Sequence, residues 1–469
     1  MREYDLYIGG KWVKSHSMDS IKVENPANRK IFAVVPASDS EDVKAAVKAA
    51  KEGFEVWKNY TGEMRAECLF KLADYFDEHR KEIANDITLE LGAPIKMSED
   101  WHVYAAGRET RFYANLAKDF QYEAQKDGYI LKREPYGIVA GLTPWNYPLD
   151  QITLKILPAL AAGNSVVLKP SQMAPLAAYH FTKGIDASGF PAGVFNLVTG
   201  RGGEVGDLLA LNPDIKMISF TGSTSAGREV GMKALSNIKK CTLELGGKSA
   251  AILLDSADFS YAVDAILENC FMNTGQTCNA ITRMLIPVSR KNEIEKLIIE
   301  KSKNFIVGDP MDENVDIGPL INEKQFYKVK EYIEIGINEG ARMIVGEVPN
   351  NCENGYYVKP AVFTDVDNSM VIAREEIFGP VLCVISYNDV EEAIKIANDS
   401  PYGLCGGVFG EKSEAVETAR KMDTGTICIN GAPIVLGAPF GGYKESGIGR
   451  ENADISFDEY LEIKAICVE

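Results

Sequence analysis

The sequence predicts an α/β protein: a doubly wound, largely parallel sheet, a second α/β unit after it, and a small separate β segment. Three observations lead there. From about residue 136, short apolar runs alternate with amphipathic stretches, the succession that builds parallel βαβ units. The alternation resumes beyond residue 278. Two further stretches, 120–134 and 460–468, alternate with a period near two, as edge strands do, and are suited to pair with each other or with another subunit. A chain of 469 residues has room for about three domains.

Taken in order, residues 7–13 alternate around Gly9-Gly10 as in a hairpin, and 31–35 form another apolar run. A helix is expected from a capping box, Ser38 to Glu41, with Val43, Ala46, Val47 and Ala50 at helical spacing. A second starts near Glu63 with Leu69, Leu72, Ala73 and Phe76 on one face. It, or a successor, reaches Leu91, where Gly92 and Pro94 stop it. Next come strand 138–142, helix 149–162, strand 165–168, helix 175–187, strand 194–198, helix 204–211, strand 216–220 and a helix from Ser225. Ligands of such sheets sit at the carboxyl ends of the strands. After Cys278 the pattern predicts strand 283–287, helix 292–304, and strands 381–386 and 426–430. No internal repeat or low-complexity linker interrupts the chain.

Composition narrows the function classes. Hydrophobic residues at 46% and charged residues at 25% match ordinary globular usage and exclude extensive disorder. A formal charge of −17 disfavours nucleic acid and anionic membranes as partners. No run is long and apolar enough for a membrane span, and the start Met1-Arg2-Glu3-Tyr4-Asp5 lacks a signal-peptide core, so a soluble cytoplasmic protein is expected. Nine cysteines, an odd number without a Cys-x-x-Cys pair, argue against a disulfide framework and a thiol zinc site. The four histidines are scattered singly, and no metal is expected.

The chemistry-bearing residues are Glu244, in Glu244-Leu245-Gly246-Gly247-Lys248, and Cys278, in Gly275-Gln276-Thr277-Cys278. A thiol reacts as its thiolate, and a carboxylate activates water, so the pair suggests covalent catalysis followed by hydrolysis. Alone, neither decides anything, since a cysteine is more often a small buried hydrophobe and a glutamate a solvated charge. Strand 216–220 runs into Gly222-x-x-x-x-Gly227 and a helix, which would aim backbone N–H groups at an anion. An ordinary strand–turn–helix corner reads equally well, because neither the dinucleotide Gly-x-Gly-x-x-Gly nor a P-loop is present. The glycines at 200–206 read as a loop.

In sequence order stand Thr143-Pro144-Trp145-Asn146-Tyr147-Pro148, Lys169-Pro170-Ser171, Phe220-Thr221-Gly222-Ser223, Glu244-Leu245-Gly246-Gly247-Lys248, Gly275-Gln276-Thr277-Cys278, Glu376-Ile377-Phe378-Gly379-Pro380 and Pro439-Phe440-Gly441-Gly442-Tyr443-Lys444. From Tyr7 to the C-terminal strand, this set resembles the hydrolytic branch of the NAD(P)-dependent aldehyde dehydrogenase superfamily. The resemblance implies a Rossmann-like cofactor domain (1–116 and 136–246), a catalytic domain (247–444) and an oligomerisation segment (117–135 and 445–469). By it, Cys278 attacks an aldehyde, and Asn146 with the Cys278 backbone N–H holds the oxyanion. Glu244 then activates the water that releases a carboxylic acid.

For the cofactor, NAD or NADP, the resemblance implies that Lys169 and Glu376 bind ribose hydroxyls and Phe378 packs on the nicotinamide. Gly222, Ser223 and Thr224 would receive the pyrophosphate. Thr143, Pro144, Trp145, Gln172, Leu245 and Gly246 would line the same cleft. Gly246 and Gly247 would leave room for the nicotinamide to reach Cys278. Many NAD-preferring members carry Glu where this chain has Gln172; without that carboxylate the 2′-phosphate of NADP is not repelled, so dual use is expected. Arg201 is either a 2′-phosphate partner or a solvated surface cation. Tyr147, Gln151, Leu154, Met272, Asn279 and Phe440 would face the aldehyde. With an apolar loop at 431–438 and no anion clamp, they suit a medium-sized neutral or aromatic substrate. A homodimer or homotetramer is implied. Three alternatives are a CoA-acylating dehydrogenase, a cofactor-free cysteine hydrolase, and a non-catalytic protein that kept the fold.

Overall fold

The computed structural model describes residues 1–452 and 454–468. Its largest sheet has eight strands, with a parallel centre in the spatial order Lys240–Glu244, Ile215–Thr221, Ile138–Leu142, Ser165–Lys169 and Phe195–Leu197. The first strand in sequence, Ile138–Leu142, sits in the middle. The chain builds outward to Phe195–Leu197 on one side, then returns to add Ile215–Thr221 and Lys240–Glu244 on the other. This reversal opens a crevice beyond the ends of Ile138–Leu142 and Ile215–Thr221, where a doubly wound sheet takes its ligand. The short antiparallel hairpin Leu6–Ile8 and Lys11–Val13 extends one edge. Every residue of Ile138–Leu142 and Ser165–Lys169 is buried, which explains their continuous apolar runs.

A second sheet of seven strands is parallel from Ala361–Thr364 through Val381–Tyr387, Ile281–Pro287, Ser249–Leu253 and Cys405–Phe409 to Thr426–Ile429. Only the edge strand Arg342–Val345 is antiparallel. The third sheet joins the two alternating stretches: Leu461–Cys467 pairs antiparallel with Tyr129–Pro135, which pairs with Glu123–Lys126. They therefore pair with each other. Among the described residues no helix is long and apolar enough to cross a membrane.

Several boundaries differ from expectation. The first helix, Ser40–Trp57, is capped by Asp39 and not Ser38: Asp39 accepts from the N–H groups of Glu41 and Asp42, while the Asp42 carboxylate accepts from the Asp39 N–H. Two carboxylates at a helix N-terminus gain from the dipole as well as from the cap, so Asp39 outcompetes Ser38. The following helix ends at Glu78, and its successor Arg80–Leu91 stops where Gly92 turns left-handed. The glycines at 202–206, read as a loop, form a π-helical turn leading into the short helix Asp207–Leu211. Residues 95–119, for which the pattern predicted no element, fold as a π-helical turn, Ser98–Val103, running into the helix Tyr104–Asp119.

Candidate active site

Glu244 is the last residue of its strand in the first sheet, so it stands at a carboxyl end, beside the crevice. Gly246-Gly247, Cys278 and Glu376-Phe378 lie instead just before Ser249–Leu253, Ile281–Pro287 and Val381–Tyr387. These are amino ends of second-sheet strands, so the carboxyl-end rule holds here for the first sheet alone. The site lies where the two sheets meet end to end.

Cys278 follows a tight turn in which Asn273, Thr274 and Gly275 all have positive φ, of 52°, 58° and 71°. Two non-glycine residues in the left-handed region cost about 1–3 kcal/mol each, so the surroundings must hold the turn. The Gln276 side chain donates to the Asn273 carbonyl at 3.1 Å and accepts from Ile321 N–H at 2.9 Å; Thr274 donates to the Gly318 carbonyl. Asn146 is tied to the same turn. Its amide nitrogen donates to the Gln276 carbonyl at 3.0 Å, and its own carbonyl accepts from the Asn273 amide at 2.7 Å. The Tyr147 hydroxyl meets Thr277 Oγ1 at 2.9 Å. The Asn146 amide is thereby fixed beside the Cys278 loop.

The electrostatics oppose ionisation of both candidate groups. Burial, then the charges of Glu244 and Glu376, pushes the half-buried Cys278 thiol up to about 12. Glu244 is buried, and neither carboxylate oxygen has a hydrogen-bond partner. Burial and the neighbouring Glu451 hold its carboxyl well above the usual range, with Lys155 and Arg450 pulling the other way. Lys155 and Glu451 form a fully buried ion pair at 2.6 Å, and Lys155 also donates to Gln151 Oε1. A base held in a dry pocket without competing donors is poised to take a proton from water.

Of the residues expected to hold a cofactor, Thr143, Lys169 and Ser223 stand at or just beyond the carboxyl ends of first-sheet strands. Lys169 is buried, donates only to the Pro170 carbonyl, and is pushed down to about 8 by burial. The Thr143 hydroxyl is buried without a partner. Ser223 caps the helix Thr224–Leu235, accepting from Ala226 N–H. Trp145 and Phe378 meet edge to face at 5.3 Å, and Phe378 itself is left-handed, with φ 61°. Glu376 accepts from the Gly247 N–H at 3.0 Å. A buried ammonium with one carbonyl partner and no counter-ion, an unpaired hydroxyl and a helix N-terminus are groups that fit a dinucleotide's hydroxyls and phosphates.

A model of the aldehyde dehydrogenase family matches residues 12–466. The chain belongs to the aldehyde dehydrogenase family. It is 44% identical, over 99% of both chains, to the 3-succinoylsemialdehyde-pyridine dehydrogenase of a Pseudomonas species. Aldehyde dehydrogenase C of Pseudomonas syringae, solved as a variant with NAD+ and octanal, superposes with a TM-score of 0.97 at 43% identity, covering 99% of this chain and 96% of that one. The Mycobacterium tuberculosis aldehyde dehydrogenase solved with NAD+ gives 0.97 at 40% identity, covering 100% and 99%. An aldehyde dehydrogenase of this kind is an oxidoreductase, and the solved relatives named here carry NAD+.

Within this aldehyde dehydrogenase three glycines have a packing role as well. A Cβ on Gly246 would lie 2.5 Å from Glu376 Oε2, and one on Gly247 2.6 Å from the Cys278 carbonyl oxygen. The space is taken by protein atoms, so these glycines let the two sheet ends close on each other. Gly227, the second glycine of the anion motif, makes room for the Leu245 side chain at 2.3 Å, which is a packing role. Gln172 is half-buried in the loop after Ser165–Lys169. Arg201 forms an exposed ion pair with Glu204, as a surface cation does. Gln151, expected to face substrate, is committed to Lys155 and to Asp150. Lys155, Glu451, Asn273 and Gln276 escaped sequence reasoning. Two of them carried a signal: Lys155 as the one cation in the helix Asp150–Ala162, and Gln276 as a neighbour of Cys278 in its motif.

Proposed function

We propose that the protein oxidises a medium-sized neutral or aromatic aldehyde to the carboxylic acid with Cys278 as nucleophile and Glu244 as the base of a hydrolytic step. The observation that carries this reading is Glu244 itself, buried with both oxygens unpaired and close enough for its charge to act on Cys278. A thiol acceptor such as CoA would need no such base. Once the Cys278 thiol has given its proton to water, its sulfur bonds to the carbonyl carbon; Asn146 donates to the oxyanion that forms, and the Cys278 N–H supplies the second donor. Lys169, Glu376, Thr143 and Ser223 hold the dinucleotide, with Trp145 and Phe378 beside its ring; when bound, NAD supplies the hydride acceptor. Hydride loss leaves an acyl thioester on Cys278. Glu244 takes a proton from water, the hydroxide oxygen bonds to the acyl carbon, and the Cys278 sulfur leaves.

The substrate class is supported by the apolar loop at 431–438 and by two relatives, one solved with octanal and one named for an aldehyde bearing a pyridine ring. Gln172 supports acceptance of NADP beside NAD. The free edge of Leu461–Cys467, with Ile463 and Ile466 exposed, supports assembly into a homodimer or homotetramer. An aldehyde panel with NAD and NADP in parallel, without CoA, tests the reading. Octanal and benzaldehyde should outperform succinic semialdehyde and phosphorylated aldehydes. Preference for an anionic aldehyde contradicts the substrate class, and more than about a hundredfold preference for NAD contradicts the Gln172 argument.

A further inference from the structure

His102 is the least economical residue near the site. It is fully buried, and neither ring nitrogen has a hydrogen-bond partner. Burial pushes the imidazole down to about 3, so it stays neutral at any working pH. A neutral imidazole still carries one N–H and one lone pair, and leaving both unpaired in the interior costs stability that a phenyl ring would not lose. Its backbone is unusual too, since the turn Ser98–Val103 is π-helical, a rare form found mostly as single turns and frequently at functional sites.

The ring has one clear contact that bears on the chemistry. It stacks on Tyr147, with centroids 5.1 Å apart and planes 27° from parallel. Tyr147 directly follows Asn146 in sequence, and its hydroxyl meets Thr277 Oγ1 at 2.9 Å, one residue before Cys278. The phenol therefore bridges the strand end that carries the oxyanion donor and the loop that carries the thiol. Rotation about Cα–Cβ would swing the hydroxyl away from Thr277, and a ring stacked on the phenol's face opposes that swing.

We propose that His102 is a positioning residue whose flat ring holds the Tyr147 phenol against Thr277, and so fixes the distance between Asn146 and Cys278. Its role is carried by shape and stacking, and its nitrogens are dispensable. The inference rests on Cys278 being the nucleophile, and the two fail differently. A Cys278→Ala enzyme that still oxidises the aldehyde refutes the nucleophile; the variants below judge His102.

The test compares burst rates for wild type, His102→Phe, His102→Leu, Tyr147→Phe and the double variant His102→Leu/Tyr147→Phe. Both changes at 102 remove the unpaired nitrogens at similar bulk, but only phenylalanine keeps a flat ring. His102→Phe should burst within about twofold of wild type and melt no lower, while His102→Leu should be about tenfold slower, with little change in aldehyde KM. Tyr147→Phe should also slow the burst, and adding His102→Leu to it should cause no further loss, because both act through one hydroxyl. Equal rates for His102→Phe and His102→Leu overturn the proposal. So does a double variant whose slowing is the product of the two single effects.

Discussion

At the residue scale, the same dry surroundings raise the pKa of both proposed reacting groups. Cys278 is pushed up to about 12, partly by Glu244, and Glu244 is raised by burial and by Glu451. A carboxylate and a thiolate so close cannot both be charged cheaply, so the site favours one ionised partner at a time. The base works only when deprotonated, and its proton leaves at higher pH than an ordinary glutamate's, so hydrolysis should rise with pH. Lys155 opposes that shift. Because Lys155 also holds Glu451 ionised, the decisive change is Glu451→Gln, which should lower the Glu244 pKa and move the ascending limb of the kcat–pH profile to lower pH. An unmoved limb would mean that the buried ion pair does not act on the base. Glu244, Cys278 and Asn146 could be proposed from the sequence because each sits in one of the motifs that carry the family resemblance. Glu451 could not: it meets Lys155 only through the fold, across a separation that no local pattern encodes.

At the element scale, the turn 273–275 spends backbone strain to present the thiol. Gly275 and Asn273 tolerate left-handed backbone, but nothing in the β-branched Thr274 announced it, since the turn is held by distant partners, the Gly318 and Asn146 carbonyls. A methyl at Gly275 would lie 2.2 Å from the backbone of Gly379 and would add a third strained residue. Gly275→Ala should cost about 1–3 kcal/mol of stability and abolish the burst, read by thermal melting beside stopped-flow absorbance. A variant that bursts normally would show the turn to be slack. The parallel strands were legible because burial on both faces writes them as continuous apolar runs. Helices such as Tyr104–Asp119 were less so, because the helix is interrupted at its start by the π-helical turn that shifts the hydrophobic phase.

At the scale of the whole molecule, the site is completed by juxtaposition. The carboxyl end of one sheet supplies Glu244, and the amino ends of another supply Cys278 and Glu376. The motifs told which residues belong together; the end-to-end meeting of the sheets, and the use of Gly246 and Gly247 to let them close, came only with coordinates. The third sheet leaves an open edge along Leu461–Cys467 whose Ile463 is 63% exposed, too apolar to be left to water over a whole strand. Light scattering should therefore give the mass of a dimer or tetramer. A monomer at micromolar concentration would contradict the proposed assembly.

The division of labour between Cys278 and Glu244 is the central claim, and pre-steady-state absorbance of NADH tests it most directly. Glu244→Gln should give a burst of about one equivalent per site and then stall, because the thioester forms but its water is not activated. Cys278→Ala should give no burst. A Glu244→Gln enzyme that turns over at the wild-type rate would contradict the account.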